Sequence, residues 1–283
     1  MGGATEALGF IGGSTGKEIT DLLAKEGVPS RFVKIQGHTR INVTVTNDSD
    51  FKQTRLTFPG PLISKSEILC LLKQIQRLKA PGMLVIGGSL PGGCPKDFHR
   101  QIIELAANRG LGTVVDVPAR FLKPILARKS FNLLLLKPNQ AEFEELLGHR
   151  FRSKIAIAKA AMELAEKVAL VCVSLGEHGA IFATRHQAWF GKSPRIEARG
   201  TVGAGDSMVG AMTARISFFH LTPSRNFLDE KFSIKSEAIQ DIFSWGLAAG
   251  AATAEVEGTS LASFVRIRQL QGRVHMRVLI EKS

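Results

Sequence analysis

From Met83 onward the apolar positions of this chain fall into short continuous runs, separated by stretches with helical spacing. MLVI at Met83–Ile86 leads into a turn-rich GGSLPGG and then a helical stretch from Pro95 to Arg109. TVVDV at Thr113–Val117 is followed by LLLLKPN at Leu133–Asn139, which enters a helix over Glu142–Leu147. A second helix over Ile155–Lys167 leads to ALVCVS at Ala169–Ser174, and Ser236–Glu257 reads as a long helix rich in small residues. Apolar runs of this kind alternating with helices predict βαβ units around a mostly parallel sheet, buried on both faces. One segment follows a different period. Ile41, Val43 and Val45 alternate with Asn42, Thr44 and Thr46, NDSD supplies a turn, and Leu56 and Phe58 alternate with Arg55 and Thr57. Period-two alternation on both sides of a turn predicts a β-hairpin with one wet and one covered face. Such an insertion in an α/β domain suggests a lid or a dimer contact.

Length and composition narrow the class. At 283 residues, 44% hydrophobic and 22% charged, the chain fits one large α/β domain, with or without a small appendage. No apolar run reaches the length of a membrane span, and the N-terminus carries no signal-peptide pattern. Cys70, Cys94 and Cys172 have no CxxC spacing, so a reduced, cytoplasmic setting without zinc is expected. A net charge of +12 and a pI near 9.9 admit a nucleic-acid partner or anionic small molecules. No nucleic-acid motif and no tyrosine accompany the charge, so it is read mainly as solubility and attraction for anions.

Four segments could carry chemistry. In GTVGAGDSMVGAM, Gly200–Met212, two glycines flank Ala204, an acid follows, and a helix is expected from about Ser207. Small residues there let backbone N–H groups gather at the positive end of a helix, a cradle for anionic oxygen. Asp206 at its edge could take a proton from an attacking hydroxyl; the plainer reading makes it a helix N-cap. In KPNQAEFEELL, Lys137–Leu147, Asn139 and Glu142 have the spacing of a capping box, worth about 1 kcal/mol. The functional reading sets Lys137 near phosphates and Asn139 and Glu142 near hydrated magnesium. VSLGEHGA, Val173–Ala180, offers a strand-to-strand turn at Gly176 and Gly179, and GGSLPGG a flexible loop at a strand's C-terminal end. The three glycine-bearing loops all follow predicted strands, and gathering them with KPN at one sheet edge favours a binding site. GGSTGK at Gly12–Lys17 has P-loop glycines one residue too close, and Glu18 replaces the magnesium-holding hydroxyl, so it is read as a turn entering a helix. The histidines, His38, His99, His149 and His178 among them, show no metal-ligand spacing.

Taken in order, GFIGGSTG, GHTRINV, FPGP, GGSLPGG, KPNQAE, VSLGEHGA, TVGAGDSMVGAM and GLAAGAATA with EGT resemble the phosphofructokinase-B family of ribokinase-like carbohydrate kinases, over almost the whole chain. The strings are similar to those of its 6-phosphofructokinase (minor bacterial form), 1-phosphofructokinase and tagatose-6-phosphate kinase branches. The resemblance implies a ribokinase-like α/β domain over residues 1–34 and 60–283, with a β-hairpin lid over 35–59 that often makes a homodimer contact. It implies Asp206 as the base for the sugar hydroxyl, with Gly203, Ala204 and Gly205 forming the anion hole. Lys137, Asn139 and Glu142 would serve the ATP phosphates and, through water, Mg2+; K+ is a further candidate ion. Ser174, Gly176 and Gly179 would line the nucleotide, with segment 246–253 walling the adenine. Arg40 would meet the sugar's phosphate, whose geometry a planar guanidinium suits, and Ser89 would line the sugar pocket.

The expected reaction is phosphorylation of a hexose phosphate by ATP, fructose 6-phosphate first, with 1-phosphofructokinase and tagatose-6-phosphate kinase as alternatives. Relatives begin with a strand bearing a sugar-gripping aspartate and a GGKGxN stretch; here the chain starts past that region, and its usual first strand and helix are expected to be lacking. VPAR at Val117–Arg120 departs from the small polar residues that relatives carry. Two other readings follow from these departures: a shortened, weakly active kinase, and a non-catalytic nucleotide-binding or interaction protein using its basic surface.

Overall fold

The computed structural model describes residues 3–47, 53–127, 132–221 and 234–282. In chain order the elements are β1 (Phe10–Ile11), α1 (Gly13–Lys25), β2 (Val33–Lys34), β3 (Val43–Thr46), β4 (Gln53–Leu56), α2 (Lys65–Gln76), β5 (Met83–Gly87), α3 (Phe98–Asn108), β6 (Gly112–Asp116) and α4 (Ala119–Leu126). They continue as β7 (Leu133–Leu136), α5 (Gln140–Leu147), α6 (Lys154–Leu164), β8 (Leu170–Ser174), β9 (Ala180–Ala183), β10 (Gln187–Lys192), α7 (Ala204–Phe218), α8 (Ser236–Ala254), α9 (Phe264–Gln271) and β11 (His275–Glu281). The residues group into two compact units, Lys79–Gly88 with Gly110–Ser283, and Gly2–Leu78 with Ser89–Arg109.

The larger unit is built on one sheet, in the order β11-β10-β9-β8-β7-β6-β5. β5 through β8 pair in parallel, and β9, β10 and β11 continue the sheet in antiparallel fashion. β5, β6, β7, β8 and β10 thus point one way and β9 and β11 the other, a mixed, mostly parallel α/β sheet. The apolar runs explain the parallel part: every side chain of β7 is buried, as are Val114 and Val115 of β6 and Leu170–Val173 of β8, as strands covered on both faces require. On one side Phe182 of β9 stacks on Phe243 of α8 at 4.9 Å between ring centroids, worth about 1 kcal/mol beyond its buried area. Gly191 of β10 faces Leu247 and Phe243 so closely that a Cβ would lie 2.3 Å from Leu247. α8 lies equally close on α7, since a Cβ at Gly246 would come within 2.6 Å of Met212. The small residues of α8 are therefore a packing surface.

The smaller unit carries the parallel pair β1–β2, the antiparallel hairpin β3–β4, and helices α1, α2 and α3. GGSTGK does enter a helix: α1 starts at Gly13, which has φ +68° and is overlain by His38. Ser64 and Glu67 form a capping box at the start of α2, and Glu67 also accepts from the Gln36 N–H at 3.0 Å. The hairpin is in register with Val43 opposite Leu56 and Val45 opposite Thr54, and the Phe58 N–H extends it by donating to Asn42 Oδ1. Residues 48–50 of its NDSD turn lie outside the described residues. Its apolar face is not covered as expected: Val43, Val45 and Leu56 are exposed, while Thr44 and Thr46 are half-buried. A two-stranded ribbon has no second layer of its own, so covering that face takes another body. Among the described residues no helix is long and apolar enough to cross a membrane.

Candidate active site

In the larger unit the parallel strands β6, β7 and β8 bring Asp116, Lys137 and Ser174 to the C-terminal edge of the sheet, where open α/β sheets bind ligands. Lys137, 5% exposed, follows β7 and sets its Nζ 3.2 Å from Oδ2 of Asp116. Burial raises the Asp116 carboxyl above the usual carboxylate range. The Lys137 ammonium pulls it down, and the charges of Glu142 and Asp206 push it up again. Lys137, Glu142, Asp206 and Asp116 therefore share one electrostatic neighbourhood. Asp116 was missed in the sequence, where TVVDV registered only as a buried strand. The signal it offered is a carboxylate ending an apolar run just where such strands present ligand-binding side chains.

The first turn of α7 abuts this group. A Cβ placed on Gly205 would lie 3.5 Å from Lys137 Nζ. Gly203 is the N-cap, with φ +77° in the left-handed region, so the helix begins at Ala204 and not near Ser207 as expected. Asp206 consequently sits inside the first turn, which removes the plainer reading of it as the N-cap; its side chain is exposed. First-turn N–H groups, those of Gly205 and Asp206 included, have no carbonyl partner earlier in the helix and carry the positive end of its dipole. TVGAGD does not directly follow a strand as expected, since β10 ends at Lys192 and residues 193–203 are irregular. This loop is tied down where the N–H groups of Arg199 and Gly200 donate to the Ala254 carbonyl. Thr253 Oγ1 donates to Ser207 Oγ at 2.8 Å. Within segment 246–253, Gly246 and Gly250 lie against α7, and Ala248, Ala249, Ala251 and Ala252 are buried.

α5 begins with the capping box: Asn139 Oδ1 accepts from the Glu142 N–H, and Glu142 Oε2 accepts from the Asn139 N–H, both at 2.9 Å. Capping and cation binding are compatible here, because the box engages one carboxylate oxygen of Glu142. Among the described residues no three His, Cys, Asp or Glu side chains form a metal cage. Magnesium keeps several waters and takes few protein ligands beside substrate phosphates, so exposed Asn139 and half-buried Glu142 fit a water-mediated role.

Asn139 bridges to Ser174, whose N–H donates to the Pro138 carbonyl at 3.1 Å. From Ser174 the chain turns through Gly176, at φ +61°, and Gly179, at φ +104°, into β9. Open space surrounds Gly176, but a Cβ at Gly179 would sit 2.0 Å from the Gly191 carbonyl oxygen. Gly179→Ala combines an unfavourable φ with a backbone clash. It should destabilise the fold by about 2–4 kcal/mol, read as a lowered midpoint in urea unfolding; an unchanged midpoint would contradict this packing.

Arg40 and Ser89 belong to the smaller unit. Forty-nine positions apart in sequence, they meet there: Arg40 Nη2 donates to Ser89 Oγ at 3.3 Å, and both residues are exposed. Gly60 leaves room for the guanidinium, since a Cβ would lie 3.5 Å from Nη1.

Known proteins resemble this chain over most of its length. The profile of the pfkB family carbohydrate kinases matches residues 1–264. The ATP-dependent 6-phosphofructokinase isozyme 2 of Escherichia coli is 32% identical over 265 residues, covering 93% of this chain and 80% of the relative. The 1-phosphofructokinase of Bacillus subtilis is 30% identical over 264 residues, with the same two coverages, 93% and 80%. The crystal structure of Escherichia coli phosphofructokinase-2 in complex with potassium superposes with a TM-score of 0.83 at 32% identity, covering 96% of this chain and 82% of that one.

Proposed function

The chain belongs to the pfkB family of carbohydrate kinases and is an ATP-dependent sugar kinase, and from that premise we propose that it phosphorylates fructose 6-phosphate to fructose 1,6-bisphosphate. The observation that carries the chemistry is the Lys137 ammonium held between the Asp116 carboxylate and the first turn of α7, with Asp206 in that turn. Asp206 accepts the proton of the attacking sugar hydroxyl. The N–H groups of Gly203, Gly205 and Asp206, at the positive end of α7, receive charge developing on the transferring phosphoryl group, while that of Ala204, also expected in the anion hole, donates to the Thr201 carbonyl at 3.4 Å. Lys137 neutralises phosphate oxygens, and Asp116 holds it in place. Ser174, Gly176 and Gly179 line the nucleotide side, where Gly176 leaves open space. Asn139 and Glu142 would hold Mg2+ through water, and the ion, when bound with ATP, draws charge off the phosphates. K+ is proposed as a further ion on the strength of the relative solved with potassium.

Arg40, steadied by Ser89, takes the phosphate already on the sugar. The experiment is a kinetic split. Arg40→Ala should raise KM for fructose 6-phosphate by about 10–100-fold with kcat largely retained; an unchanged KM would sink the assignment. A second reading, fructose 1-phosphate as acceptor, is favoured by the equal coverage of the 1-phosphofructokinase relative.

A homodimer through the hairpin completes the proposal, with the reaction in the cytoplasm. Ile41, Val43, Val45, Leu56 and Phe58 are all exposed, an apolar patch that a second copy would cover. Val45→Asp should shift the mass in light scattering from dimer to monomer; an unaltered dimer would place the contact elsewhere.

A further inference from the structure

β11 closes the seven-stranded sheet, and among the described residues its only strand partner is β10. Among the described residues nothing pairs with the backbone N–H and C=O groups of its outer edge, and His275, Arg277 and Val278 are exposed. β11 pairs regularly over His275–Val278, before a shift of register toward Ile280, and a regular open edge is a template for another strand.

Uncompensated charge stands beside that edge. The register sets Phe190 opposite Arg277 and Lys192 opposite His275, and these four share one face, because paired residues and positions two apart do. Gly191 points the other way, toward Leu247 and Phe243 of α8. Lys154, at the start of α6, belongs to the Phe190 face: its Nζ lies 3.8 Å from the ring centroid, and Arg277 Cζ lies 5.8 Å from it. Two cations thus share one ring, closer together than the Debye length of about 10 Å at 0.1 M salt. Among the described residues no carboxylate forms an ion pair with Lys154, Lys192 or Arg277. Charges that only guard an edge against self-pairing have no need to collect on one face at strand period.

We propose that β11 is a docking strand for an extended acidic segment of another protein. The segment adds to the open edge through backbone hydrogen bonds, with a carboxylate meeting Arg277 while Lys154 and Lys192 add to the field. The same lysine and arginine charges disfavour a second copy at this edge, where they would meet like charge.

The test is fluorescence anisotropy on the full chain with a labelled peptide of alternating Glu and Val. Saturable binding is expected. It should weaken by about tenfold or more with Arg277→Glu, and as strongly when alternate peptide amides are N-methylated, which keeps charge and removes donors. Kinase turnover of Arg277→Glu should be unchanged. Absence of binding, or equal binding of the N-methylated peptide, overturns the proposal. So does an oligonucleotide of the same charge binding as tightly, which would mean attraction for any polyanion. If Arg277→Glu loses turnover through misfolding, the two peptides on the unaltered chain still decide.

Discussion

Asp206→Asn should lower turnover by about 10²–10⁴-fold while leaving ATP binding nearly intact. Asparagine keeps the size of the side chain and its place in the first turn of α7, but it cannot take the proton of the sugar hydroxyl. The turn itself is set by Gly203 and by α8 packing against α7, so the anion-binding N–H groups stay where they are. ATP titration of the variant by intrinsic fluorescence, beside steady-state turnover, separates the two effects. A variant with near-normal kcat would remove Asp206 from the role of base.

Lys137→Met should be damaging in a different way. It removes the buried cation proposed for the phosphates, and it takes from Asp116 the ammonium 3.2 Å from its Oδ2. Breaking a buried ion pair by removing one member destabilises by about 3–5 kcal/mol, which for a chain of this size means a fall in Tm on the order of 10 °C. The pH dependence has a definite sign. Burial already raises the Asp116 carboxyl above its unfolded value, so in the window above the ordinary carboxylate pKa the folded state holds more protons than the unfolded one. Stability contributed by this group therefore falls as pH rises through its folded pKa. Without Lys137 that pKa rises further, so the variant's deficit should be largest at neutral to alkaline pH and shrink on acidification, as Asp116 takes up a proton. Adding Asp116→Asn should recover much of the stability at high pH but none of the activity. Equal Tm deficits at pH 5 and pH 8 would contradict the buried pair.

The parallel strands were legible because a strand covered on both faces must be apolar throughout, as LLLL and LVCVS are. QAWFGK and HMRVLIE show no such run: β10 must leave Gly191 bare for Leu247, and β11 is an exposed edge. Periodicity has little to report from either. The glycine loops pointed to the candidate site because left-handed φ and close backbone approach leave few other residue choices, as at Gly179 and Gly203. Asp116 stayed hidden because one acid in an apolar run looks like a strand end until the neighbouring strand brings Lys137 beside it. The start of α7 was placed three residues late because a glycine N-cap lacks the side chain that marks most helix starts. The meeting of Arg40 with Ser89 is a property of the folded unit that no local pattern encodes, although each was suspected singly from the family resemblance.

The central claim is tested most directly by ADP release from the purified chain with magnesium-ATP, comparing fructose 6-phosphate, fructose 1-phosphate and tagatose 6-phosphate. Turnover with fructose 6-phosphate at the highest kcat/KM of the three is expected. No ADP release with any of them, from a chain that still binds ATP, would contradict it.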